Sequence, residues 1–146
     1  MAGALSPEVL EAYEAVRSDK DETNWLLISD DPAVRNRLVL SAKGSGGLPE
    51  LVPQLEDGQV QYAYVRIEYA NDAESKRIKF ILVVWIGKDI RPLRRGRIFT
   101  ESAEITKVLS HYSIQVDASS TADLVEEDIV KRLRKAGGAD YNGGRG

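Results

Sequence analysis

Apolar residues recur in two rhythms along the chain, and each change of rhythm marks an element. Residues 75–87, SKRIKFILVVWIG, hold the longest apolar run, Ile81-Leu82-Val83-Val84-Trp85-Ile86. A run that short, rich in β-branched residues and closed by Gly87, predicts a strand buried on both faces. Residues 61–69 alternate, with Ala63, Val65, Ile67 and Tyr69 on one side and Tyr62, Tyr64, Arg66 and Glu68 on the other. They predict the preceding strand, joined to 75–87 by the polar residues 70–75 as an antiparallel hairpin. Earlier, Trp25-Leu26-Leu27-Ile28 forms the apolar part of a strand over 24–29. Asp30-Asp31-Pro32 turns it, and residues 37–42 return as its partner. A last short strand is expected at 113–116.

The other rhythm is helical. Ser6-Pro7-Glu8 opens a first helix, with Ser as cap, Pro at the first helical position and Glu in the first turn. Val9, Tyr13 and Val16 give it one packing face, with Leu10 alongside. Leu51 and Leu55 suggest a brief helix from Leu48, which Pro53 shortens. Pro92 starts a long helix in which Ile98, Ile105, Leu109 and Tyr112 repeat, loosened near Gly96. Ser120 and Asp123 form a partial capping box for a final helix. Its charges run from Asp123, Glu126, Glu127 and Asp128 to Lys131, Arg132, Arg134 and Lys135, an order that complements the helix dipole. Leu124, Ile129 and Leu133 face inward, and Gly137-Gly138 ends the helix. The elements predict one α+β domain over residues 1–136, a central mixed sheet flanked by helices on both faces. Residues 137–146 follow as a mobile tail.

Composition narrows the classes. A chain of 146 residues with 42% hydrophobic and 29% charged residues is expected to be globular. It has no apolar stretch near the length of a membrane span, and its acidic, amphipathic start is unlike a secretory signal. The absence of cysteine excludes disulfides and thiolate metal sites and suits a reducing compartment. Net charge is −3, so recognition of an anion must rest on local clusters.

Catalytic chemistry has little to stand on. His111 is the single histidine, with a structural or exposed role as its default. Asp30 and Asp31 read as turn residues. Gly44-Ser45-Gly46-Gly47 lacks the Lys-Ser/Thr of a phosphate loop and the spacing of a dinucleotide fingerprint. No enzyme activity, metal or cofactor is expected. What remains is basic: Lys76/Arg77/Lys79, Arg91/Arg94/Arg95/Arg97, and Lys131/Arg132/Arg134/Lys135. Each alone is ordinarily a solvated face. Arg91, Arg94 and Arg95 would crowd one side of a helix, a cost that anions of this chain or of a partner would relieve. No exposed aromatic platform interleaves with these cations, which argues against nucleic acid.

Three stretches carry a family resemblance: 75–80, SKRIKF; 84–87, VWIG; and 134–141, RKAGGADY. Together, and in this order of elements over nearly the whole chain, they resemble the actin-depolymerising factor homology domain, and within it the coactosins. Tyr13 with Val16-Arg17, and Ala63 with Val65-Arg66, also fit. Asp140 stands where the family motif has Asn, residues 30–47 are longer than the usual first hairpin, and 91–97 is richer in arginine. The resemblance implies a cytoplasmic, cytoskeletal protein that binds the side of filamentous actin as a monomer, without strong severing or depolymerisation. It implies that Lys79 is a principal filament contact, with Lys76 and Arg77 beside it and Lys131, Arg134 and Lys135 secondary. An alternative partner for the same basic residues is a membrane of anionic phospholipids.

Overall fold

The computed structural model describes residues 5–70 and 75–142, with residues 137–142 as helical backbone. The elements are α1 (Pro7–Arg17), β1 (Trp25–Asp30), β2 (Leu38–Gly44), α2 (Gly47–Leu51) with a 3-10 turn (Val52–Gln54), β3 (Val60–Ala70), β4 (Lys76–Ile86), α3 (Pro92–Arg95), α4 (Ile98–Val108), β5 (Ile114–Ala118), a second 3-10 turn (Thr121–Leu124) and α5 (Glu126–Asn142). The five strands make one sheet in the order β2-β1-β3-β4-β5. All neighbours are antiparallel except β4 and β5, which run parallel. A parallel pair needs a long crossover, and α3 and α4 supply it.

The expected α+β architecture is present, with helices on both faces of the sheet. Tyr62, Tyr64, Phe80, Leu82 and Val84 pack against Val9, Tyr13 and Val16 of α1 and Ile105 of α4. Ala63, Val65, Ile81, Val83 and Trp85 pack against Leu48 and Leu51 of α2 and Ile129 and Leu133 of α5. The apolar run in β4 therefore feeds two cores, which is why it does not alternate. Leu10 does not join the face of α1 and is exposed.

Gly87 closes β4 where no larger residue fits. A Cβ there would lie 2.7 Å from the Glu56 carbonyl oxygen and closer still to the Asp57 carbonyl. The same segment accepts the Trp85 indole N–H at Glu56 O (2.7 Å) and the Asp89 N–H at Asp57 O (2.8 Å).

Four helix boundaries differ from the sequence reading. α4 ends at Val108, so Leu109 and Tyr112, expected within the long helix, lie beyond it and pack on the same core from the connection to β5. The long helix is broken at Gly96 and Arg97 into α3 and α4, as the low helix propensity of glycine allows. The Ser120–Asp123 capping box forms, but it caps the 3-10 turn; Val125 is extended, and α5 starts beyond it. Gly137-Gly138 does not end α5, which runs to Asn142. A glycine terminates a helix by taking a left-handed conformation. Among the described residues that conformation occurs only at Asn36 and Gly47. The tail expected over 137–146 thus has helical backbone as far as Asn142, and 143–146 lie outside the described residues.

One feature of the sheet positions the basic residues. β1 is registered with β3 only from Ile28↔Tyr62 to Trp25↔Val65, and β5 with β4 only from Ile81↔Ile114 onward. The β3–β4 ladder continues to Ala70↔Lys76. Residues 67–70 and 76–80 therefore project beyond the body of the sheet as a two-stranded ribbon. Residues 71–74, the expected turn, lie outside the described residues.

Candidate functional site

The ribbon carries the cations of SKRIKF. Across the antiparallel ladder Lys76 faces Ala70, Arg77 faces Tyr69 and Lys79 faces Ile67. Paired residues share a face, and successive residues alternate. Arg77 and Lys79 therefore stand on the α5 side, with Tyr69 and Ile67, while Lys76 and Ile78 stand on the opposite side. Lys76 and Arg77 are exposed and Lys79 is half-buried. Ile78 keeps 43% of its surface exposed, although Phe80, two residues on, is buried. Being flanked by ladder bonds and followed by a doubly buried strand, Lys79 leaves the backbone at a defined place.

α5 brings the second group. Ile129 and Leu133 are buried against the sheet. At 100° per residue Lys131 and Lys135 then point outward, while Arg132 and Arg134 flank the buried stripe. The Arg134 Nη2 donates to the Ala70 carbonyl (2.8 Å), and its guanidinium lies 5.5 Å from the centre of the Tyr69 ring. The Arg132 Nη2 donates to the Gln115 carbonyl (3.2 Å). Arg134 thus joins Arg77 and Lys79 on one face of the ribbon, whereas Lys131 and Lys135 form the outer surface of α5. None of Lys76, Arg77, Lys79, Lys131, Arg134 and Lys135 forms an ion pair with a carboxylate of the described residues.

The arginines of 91–97 fare differently. Arg94 donates from Nε to Asp30 Oδ2 (2.9 Å) and from Nη2 to Glu101 Oε1 (2.6 Å). Tyr62 donates its hydroxyl to the same Glu101 oxygen (2.7 Å). Arg97 lies 3.5 Å from Asp30 and 3.7 Å from Glu101. Burial, and then the Glu101 carboxylate, push the Tyr62 hydroxyl far above its ordinary pKa of 10.0. Asp30 is accordingly a strand residue and an ion-pair partner, not a turn residue. Of the clustered arginines, Arg94 and Arg97 meet this chain's own carboxylates, at the end of the sheet opposite the ribbon, whereas Arg91 and Arg95 form no ion pair with a described carboxylate. Sequence reading missed this because Asp30 and Arg94 are far apart in the chain; the surplus of arginine was the one signal.

The remaining candidates for chemistry are accounted for locally. In the glycine-rich turn the anion is internal. Glu50 accepts from the Trp25 indole N–H (2.8 Å) and from the Gly46 N–H (2.9 Å), and these bonds, the indole first, hold its carboxyl below the usual value. His111 donates its backbone N–H to the Tyr13 hydroxyl (3.1 Å), and its carbonyl accepts from the Tyr64 hydroxyl. Its ring packs 5.4 Å from that of Phe80. Among the described residues no group of three His, Cys, Asp or Glu side chains could hold a metal ion, and no helix is long and apolar enough to cross a membrane.

Known proteins share both the sequence and the fold. Residues 3–134 match the family of cofilin/tropomyosin-type actin-binding proteins. Coactosin of Dictyostelium discoideum is 36% identical over 99% of this chain and 98% of its own length. The crystal structure of coactosin from Entamoeba histolytica superposes with a TM-score of 0.85, at 32% identity over 93% of this chain and 98% of that one. The solution structure of mouse coactosin, described as an actin filament binding protein, covers all of both chains at 31% identity with a TM-score of 0.75. A match over nearly the whole length, on a single mixed sheet with its helices in the same places, makes the chain a member of the cofilin/tropomyosin-type actin-binding family, in its coactosin branch.

Proposed function

We propose that this protein binds the side of actin filaments through the projecting ribbon, with Lys79 as the central contact, Lys76 and Arg77 beside it, and Lys131, Arg134 and Lys135 of α5 as a second cationic group. Actin binding is the property of the family; binding to the side of the filament and through these residues is the proposal. The observation that carries it is the set of cations on β4 and α5 that form no ion pair with a carboxylate of the described residues, on a chain of net charge −3. Such a set suits an acidic protein surface. Mouse coactosin, similar over the whole of both chains, is an actin filament binding protein. The activity is binding alone, exerted by a monomer in the cytoplasm on the cytoskeleton, without strong severing or depolymerisation.

Co-sedimentation with actin filaments tests it. Lys79→Ala is expected to weaken binding by about 2 kcal/mol, the cost of losing a central charged contact. Its stability should change by no more than about 0.5 kcal/mol, as for a surface lysine. Lys43→Ala, on the far edge strand β2 and exposed, serves as the charge-matched control and should bind as wild type. Wild-type binding should also weaken as salt rises. If Lys79→Ala sediments as wild type does while remaining folded, Lys79 is not the contact. Flotation with liposomes of anionic phospholipid, run beside it, would reveal a lipid partner for the same cations.

A further inference from the structure

We propose that Arg134 is a positioning residue that braces the ribbon from α5, and not a direct filament contact. The inference rests on the reading that the ribbon binds the filament, and it changes the role assigned to one residue of that site. Among the described residues no strand lies beside 67–70 and 76–80 on either side, so apart from the Ser113 N–H bond to the Phe80 carbonyl they are restrained by the β3–β4 ladder and by what packs on the ribbon's faces. A two-stranded ribbon is marginal by itself in water. On the α5 side Ile67 is buried in the core that holds Ile129 and Leu133, and Tyr69 packs against it; toward the tip of the ribbon the restraint is Arg134. Its guanidinium caps the Ala70 carbonyl, the last residue of β3, and lies over Tyr69, the cross-strand neighbour of Arg77. Arg132 makes the matching bond on the other flank of the buried Leu133, to Gln115 in β5. The two guanidiniums therefore fix α5 to strands on either side of β4, and Lys79 leaves β4 on that same face.

A planar guanidinium donates to a carbonyl in its plane while its face covers an aromatic ring; an ammonium lacks that plane and reproduces the pair of contacts poorly. The two roles therefore predict different results for Arg134→Lys. As a filament contact, Lys at this place would keep the charge and most of the binding. As a brace it would lose binding nearly as Ala does.

The test compares Arg134→Ala, Arg134→Lys and Tyr69→Leu in two measurements. Amide hydrogen exchange on the free protein reads the ribbon without actin: all three variants are expected to speed exchange at residues 67–70 and 76–80 and leave residues 81–85 protected. Filament co-sedimentation over a salt series reads function. Each variant should bind about fivefold more weakly, as expected for loss of one hydrogen bond or cation–π contact, with a salt dependence parallel to that of wild type. Arg134→Ala combined with Tyr69→Leu should cost little more than either alone, since both remove one brace. Unchanged exchange together with a shallower salt dependence in Arg134→Ala, and full binding by Arg134→Lys, would overturn the brace in favour of a charge contact. Faster exchange with unchanged binding would also overturn it, by separating ribbon order from affinity. Normal filament binding by Lys79→Ala tells against the ribbon as the binding site and leaves the exchange result standing.

Discussion

Arg94 shows how far one side chain's role depends on what the fold sets beside it. From the sequence it is one of several clustered arginines, interchangeable with Arg91 or Arg95. In the structure only 12% of its side chain is exposed, between Asp30 and Glu101, with Tyr62 donating to the same Glu101 oxygen. Removing the guanidinium would leave the two carboxylates with the Tyr62 hydroxyl and the longer, more exposed contacts of Arg97. Arg94→Ala is expected to lower stability by about 2–3 kcal/mol, the range for breaking a largely buried pair. Arg94→Lys should recover only part, since it restores the charge without the forked geometry. Chemical denaturation of the two variants checks this. Filament binding by the folded fraction of Arg94→Ala should remain near wild type, because the network lies at the end of the sheet away from the ribbon.

At the scale of elements, β4 organises the molecule, and its limits were legible in the sequence because they are marked by chemistry. Lys76, Arg77 and Lys79 cannot enter a core unpaired, and Gly87 ends the strand where the backbone of residues 56–57 comes too close for a side chain. Gly87→Ala is therefore expected to destabilise the fold by about 2 kcal/mol or more, since backbone must move to make room. A shift in the denaturation midpoint at constant slope would register it. The strands and the faces of α1 and α4 were legible for a similar reason: burial on a sheet imposes a periodicity. The ends of the last helix were not. The capping box at Ser120 specifies a turn of 3-10 helix as readily as α-helix, and Gly137-Gly138 can terminate a helix without being obliged to. Nor could sequence show that Arg134 turns toward Ala70 while Lys131 and Lys135 turn outward, since all lie in one basic run. That distinction depends on which residues of α5 are buried.

Over the whole molecule, net charge and local charge point in opposite directions. The chain is acidic overall, yet the ribbon and α5 present cations that no described carboxylate neutralises. At the far end of the sheet Arg94 and Arg97 are balanced internally by Asp30 and Glu101. Internal neutralisation marks charge used for folding, and its absence marks charge available to a partner.

The projecting ribbon has a consequence apart from recognition. On the β5 side, strand pairing begins at Ile81, and the last backbone bond there runs from the Ser113 N–H to the Phe80 carbonyl (2.8 Å). Beyond it, among the described residues, β4 has no partner on this edge, and the exposed Ile78 sits in its middle, a template on which a second copy of the chain could add a strand. The lysines and arginine that surround Ile78 oppose this, because stacking two such edges would bring like charges together. The same side chains would then keep the protein dispersed when no filament is present. A variant with Lys76, Arg77 and Lys79 all changed to Gln should fold with near-normal stability but self-associate at concentrations where wild type stays monodisperse, as light scattering would show. Arginine or lysine restored at position 76 alone should recover much of the solubility and little of the filament affinity, separating protection of the edge from recognition of the partner.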